Sequence, residues 1–137
     1  MVSLKLTSIR VTEAYVRFEP KSKGSFKMEN KYSSRISFSP AQDRAVTRLT
    51  IIITDTEKEQ LHLKIVTEGI FSVEGLESET DRKVANTISI ERMFPRVEQY
   101  IKSLASMTGI IDMPVVKPSF SFEDIKAFPP GNCMYTS

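Results

Sequence analysis

One histidine and one cysteine, His62 and Cys133, limit the nucleophilic and metal chemistry open to this chain. A Cys–His pair makes a reactive thiolate when the two side chains meet. Here they lie far apart in sequence, and no motif supports or removes the pairing. His62 stands in an alternating strand pattern, where a half-exposed, passive imidazole is the simpler assignment. The neighbouring carboxylates Glu57 and Glu59, or Glu123 and Asp124, lack the clustered His, Cys or carboxylate ligands of a metal site and read as solvated charges. Ser78, Glu79 and Asp81 have the spacing of a helix start. Gly69 and Gly75 are too far apart to cradle a phosphate. The expectation is a chain with no catalytic residues, no metal and no cofactor, and therefore not an enzyme.

Three features fit binding better than catalysis. Lys21, Lys23, Lys27 and Lys31 are interleaved with Phe26 and Tyr32, a combination that grips single-stranded nucleic acid by charge and stacking. The simpler reading is a solvated basic loop, because the whole chain is close to neutral. The C-terminal stretch places Ile110, Ile111, Met113, Val115, Val116, Phe120 and Phe122 in a segment too broken by Pro114 and Pro118 for a regular helix. It reads in part as a lid packed on the core. Methionines at 28, 93, 107 and 113 supply adaptable apolar surface, though methionine fills cores more often than it lines grooves.

The elements that must position these residues belong to one domain. The chain has 137 residues, 40% of them hydrophobic and 26% charged, with 19 basic against 17 acidic side chains and a formal net charge of +2. That length closes a single core. The weak basic excess makes no nucleic-acid footprint unless it clusters. One cysteine excludes an intramolecular disulfide. No apolar run approaches the ~18 residues of a membrane span, and the start lacks a signal-peptide h-region, so a soluble cytoplasmic protein is expected. We take residues 1–128 as the domain and 129–137 as a flexible tail.

The first half alternates as strands do. Residues 3–18 are β-rich up to Pro20, with Val16 and Phe18 set against Tyr15 and Arg17, and residues 21–30 read as a polar loop or crossover. Tyr32, Ser34, Ile36 and Phe38 then alternate with Ser33, Arg35 and Ser37. Ala45, Thr47, Leu49, Ile51 and Ile53 form one face of a third strand. Past a charged turn, Leu61, Leu63 and Ile65 alternate with His62, Lys64 and Val66, which predicts an antiparallel hairpin. Residues 68–75 read as a strand end closing on a glycine turn.

The second half changes to helical period. Ser78 and Asp81 cap a short helix carrying Val84 and Ile88, and Pro95 suits the first turn of a longer one. Phe94, Val97, Ile101, Leu104 and Thr108 recur on one side of that longer helix, which Gly109 ends. The fold class is α+β: a four-stranded antiparallel sheet followed by a short and a long amphipathic helix packed on one face.

The order and wording of Gly69-Ile70-Phe71-Ser72, Met93-Phe94-Pro95-Arg96 and Pro118-Ser119-Phe120-Ser121-Phe122-Glu123-Asp124 resemble the SecB family of protein-export chaperones. There, Gly-Ile-Phe-Ser, a Leu-Phe-Pro helix start and a late Pro-x-x-Phe-Asp segment occur in one sequence. Tyr15-Val16-Arg17-Phe18-Glu19-Pro20 looks like the end of that family's first strand. The likeness covers nearly the whole chain and is most specific over residues 61–125.

The resemblance implies assembly into a dimer of dimers and a passive, ATP-independent holdase that binds unfolded polypeptides, with protein export as the setting. On that reading the groove is lined by Phe26, Met28, Tyr32, Ile36, Phe38, Leu104, Met107, Ile110, Ile111, Met113, Val115 and Phe122. Family members that serve the SecA motor hold its basic tail on acidic residues of the outer sheet face. Glu19 matches one such position, but Lys64 reverses the charge of another and Tyr15 replaces a third. A basic partner is therefore poorly served. SecB-like proteins that chaperone the antitoxin of a toxin–antitoxin pair supply the second reading, and a single-stranded nucleic-acid-binding module the third.

Overall fold

A computed structural model describes residues 2–19, 28–56, 59–110 and 132–136. Four long strands are written as the alternation requires: β1 (Ser3–Phe18), β2 (Met28–Phe38), β3 (Arg44–Asp55) and β4 (Leu61–Glu74). They are followed by one helix, α1 (Glu79–Ser106), and a short strand, β5 (Asn132–Thr136). All strand pairs are antiparallel and the sheet order is β1-β4-β3-β2-β5. The β3–β4 hairpin is as expected. β1 and β2, consecutive in sequence, are separated by β4 and β3, and β2 begins at Met28, inside the segment expected to be loop.

The inward faces are those read from the alternation. Tyr32, Ser34 and Ile36 of β2, the five odd positions from Ala45 to Ile53 of β3, and Leu61, Leu63 and Ile65 of β4 are buried. β1 departs from simple alternation. Its pairing with β4 slips between Leu6 and Ser8 and again between Val11 and Glu13, so Thr7 and Thr12 are bulge residues. Each slip flips the face that follows. The inward set is consequently Leu4 and Leu6, then Ile9 and Val11, then Ala14, Val16 and Phe18. Both threonines turn their hydroxyls back onto β4: Thr7 Oγ1 donates to the Ile70 carbonyl at 2.9 Å and Thr12 Oγ1 to the Val66 carbonyl at 3.3 Å. These bonds satisfy carbonyls at the two places where the backbone ladder is disturbed.

The two expected helices are one. α1 runs 28 residues with Pro95 inside it. Proline removes the backbone donor to the Glu91 carbonyl. Glu91, Arg92, Pro95 and Arg96 are all exposed, so water can replace that donor where a buried carbonyl would be stranded. The stripe Ala85, Asn86, Ser89, Ile90, Met93, Phe94, Val97, Ile101 and Ala105 is buried at three- and four-residue steps without interruption. Burial along one continuous stripe outweighs the local preference of proline for a first turn.

Both ends of α1 are capped as read. Ser78 Oγ accepts from the Asp81 N–H at 3.1 Å, and Asp81 Oδ2 accepts from the N–H groups of Ser78 and Glu77 at 3.0 and 2.9 Å. At the C-terminal end, Gly109 has φ 92°, and the N–H groups of Gly109 and Ile110 donate to the carbonyls of Ser106 and Ala105. That bond pair is a Schellman ending, which needs a left-handed residue at the glycine. Gly75, with φ 78°, makes the turn after β4.

A polar seam sets where α1 lies on the sheet. Thr47 Oγ1 donates to Ser89 Oγ at 2.8 Å, Ser89 Oγ donates to the Asn86 carbonyl at 2.8 Å, and Asn86 Nδ2 reaches Ser34 Oγ at 3.5 Å. At the helix start the Arg82 guanidinium lies 5.1 Å from the centroid of the Phe38 ring. The helix therefore begins over β2, crosses β3 at Thr47, and brings Met93 over Gly69 of β4. Within the tail, Asn132–Thr136 pairs with Lys31–Arg35 of β2.

Candidate functional site

The structure separates the two residues most able to do covalent chemistry. His62 lies on β4 opposite Thr54 of β3, whereas Cys133 lies on β5 opposite Ser34 of β2. Three strand spacings and five residues of register part them, roughly 20 Å. His62 is half-exposed, as expected, and packs edge-on to Tyr15, ring centroids 5.6 Å apart at 72°. Among the described residues no group of three His, Cys, Asp or Glu side chains could hold a metal ion. No helix among them is long and apolar enough to cross a membrane.

The groove candidates fall into distinct sets. Tyr32 and Ile36 are core side chains, 1% and 6% exposed. Met28, Phe38, Leu104 and Ile110 are partly buried against the core, and Met107 is 81% exposed at the end of α1. Phe26, Ile111, Met113, Val115 and Phe122 lie outside the described residues, as do Lys21, Lys23 and Lys27 of the basic loop. Lys31 is exposed on β2, but buried Tyr32 has no face to offer a stacking base. Met28 and Phe38 stand at opposite ends of an 11-residue strand, roughly 33 Å apart. No small ligand spans that distance; only an extended chain could touch both.

Two further features bear on binding. β1 is the sheet's first strand in spatial order, so one side of all 16 residues has no neighbour among the described strands. Near its middle Val11 faces inward yet is 41% exposed. Such an edge offers backbone donors and acceptors to an added strand, tempered by the two bulges. The alternation carried a signal for the bulges, since its phase changes at Thr7 and at Thr12.

The outer sheet face is the second. Glu19, the expected docking position, is exposed just past β1, its N–H donating to the Gln60 carbonyl at 2.7 Å. Lys64 and Tyr15 are directly opposed on β4 and β1. Lys64 Nζ pairs with Glu13 at 3.3 Å, Arg10 with Glu68 at 2.9 Å, and Lys31 with Glu29 at 3.8 Å. Arg35 and Arg48 face each other across β2 and β3. With Ser33, Thr50, Lys64 and Glu13 they rim a shallow concavity of about 320 Å³, with Val66 also in its lining.

No protein-family model matches this sequence, and no curated protein matches it in sequence. Among solved structures, the chain is similar to the Mycobacterium tuberculosis Rv1957 SecB-like chaperone, captured in complex with a ChAD peptide from the Rv1956 HigA1 antitoxin. The TM-score is 0.68 at 13% sequence identity, over 82% of this chain and 89% of that one. A SecB-like α+β architecture, four long antiparallel strands followed by one long helix, is thereby shared.

Proposed function

We propose that this chain is an ATP-independent holdase that binds non-native polypeptide segments on apolar surface and backbone edge, without catalysis. The observation that carries the proposal is the SecB-like fold, whose neighbour was captured holding a peptide. The residues agree with it. Met107 is exposed beside partly buried Leu104 and Ile110, Met28 and Phe38 lie far apart along β2, and β1 presents a long side with no neighbour among the described strands. Unfolded clients expose apolar side chains in no fixed order, so their holder needs length and adaptability more than a shaped pocket. Burying on the order of 1,000 Å² of apolar surface releases on the order of 25 kcal/mol gross. Most of that is offset by ordering the client.

In this reading the chain acts in the cytoplasm as a dimer of dimers, and a second copy is a natural cover for the open side of β1. Export is one setting for such a holdase, but delivery to SecA is not part of the proposal. Lys64, tied to Glu13, stands where a basic partner would want a carboxylate. The second reading, a chaperone dedicated to one antitoxin, is favoured by one observation: the neighbour's bound peptide comes from an antitoxin.

Suppression of aggregation separates the two. The general holdase keeps several unrelated, chemically unfolded proteins soluble without ATP. The dedicated chaperone protects one antitoxin and leaves the others to precipitate. Protection of none contradicts both.

A further inference from the structure

We infer that the outer face of the sheet, opposite α1, is a second docking surface, and that its occupant is an acidic peptide segment of a partner protein. The central observation is the direct opposition of Arg35 on β2 and Arg48 on β3. Like charges directly opposite on adjacent strands destabilise a sheet, so this pair is a local cost the fold carries. The next residue along the row is Glu68 on β4, and the next Arg10 on β1. Glu68 could neutralise Arg48, but it is held by Arg10, through both Nη2 at 2.9 Å and Nε at 3.2 Å. The carboxylate that lines the concavity, Glu13, is likewise taken, by Lys64. Arg35 and Arg48 are left with no ion pair among the described residues.

Their surroundings supply further donors for an anion. Both arginines line the concavity, and Ser33 and Thr50 set hydroxyl donors in its wall. Ser33 and Thr50 are themselves opposed, two residues along from the arginines on the same face. A guanidinium presents a planar fork that matches a carboxylate bidentately. One Asp or Glu side chain seated between Arg35 and Arg48 would turn their repulsion into two charge-assisted contacts.

The arrangement favours a peptide over a nucleic acid. A phosphate backbone carries a charge at every nucleotide and would run into Glu13 and Glu68, which are interleaved with the cations. Spaced carboxylates on a peptide can address the cations one at a time. The surface lies on the sheet face away from α1, where Met107 is exposed, so its failure would leave the holdase proposal standing.

The test uses the full chain and a fluorescent peptide of Glu, Gly and Ser, which has no apolar side chain to enter a client groove. Anisotropy titrations at low salt compare it with the same peptide carrying Gln for Glu, and with a labelled single-stranded oligodeoxynucleotide. The expected result is preferred binding of the Glu peptide, weakened roughly tenfold in the Arg35→Glu/Arg48→Glu variant and fading with salt. The single Arg35→Gln variant, a milder change, should weaken binding several-fold and tests the pair if the double variant does not fold. Met107→Asp should leave peptide binding unchanged. Equal binding of the Gln peptide, unchanged affinity in the arginine variants, or tighter binding of the oligonucleotide would overturn the inference.

Discussion

Met93 of α1 lies so close over Gly69 of β4 that a Cβ on Gly69 would come within 2.9 Å of the methionine Cγ and Sδ and 3.0 Å of Phe71 Cε2. Glycine is required there by close approach and not by a left-handed backbone. Both partners belong to segments that carry the family resemblance.

Gly69→Ala should therefore overpack the interface and destabilise the chain by about 1–3 kcal/mol. In a Met93→Ala background, which opens space at the same point, the added methyl should cost much less. Chemical denaturation of the two single variants and the double variant measures that coupling. Additive effects would show that the two sites do not meet.

Acid should loosen the start of α1. The Glu77 N–H, aided by the Ser78 hydroxyl and N–H, holds the Asp81 carboxyl below the ordinary carboxylate range. The folded state thus binds fewer protons than the unfolded chain. The stabilisation is fully present above the ordinary value of about 4 and is lost as pH falls through the depressed one. Thermal unfolding of wild type and Asp81→Asn between about pH 2 and 6 should give curves that converge toward the acid end. A constant gap would mean that Asp81 acts through shape alone.

Much of this architecture was legible because burial follows period. The odd positions of β3 and the buried stripe of α1 needed only alternation and three- and four-residue steps. The single helix was not legible, because Pro95 read locally as a first turn, and only tertiary burial of Met93, Phe94 and Val97 carries the helix through it. The bulges in β1 were written in the phase changes at Thr7 and Thr12 but were masked by generally β-rich content.

The candidate site was less legible for a different reason. Apolar side chains that line a groove and those that fill a core obey the same alternation. Tyr32 and Ile36 looked like surface contacts and are buried, while Met107, two residues before the terminating glycine, is the exposed one. The opposition of Arg35 and Arg48 depends on strand register, which sequence spacing alone does not give.

Met107 separates holding from folding. Because it is so exposed, Met107→Asp should change stability by no more than about 0.5 kcal/mol. If it contacts clients, the same change should weaken aggregation suppression several-fold by setting a charge against apolar side chains. Thermal unfolding and client light scattering on one preparation check both halves. Full protection by the variant would remove Met107 from the client surface.

The most direct measurement is size-exclusion chromatography with light scattering, run with and without a chemically unfolded client and with no nucleotide present. The account predicts a homo-oligomer, four chains in the full assembly, that shifts to a larger soluble complex containing the client. A monomer whose mass and elution are unchanged by the client would contradict the holdase reading.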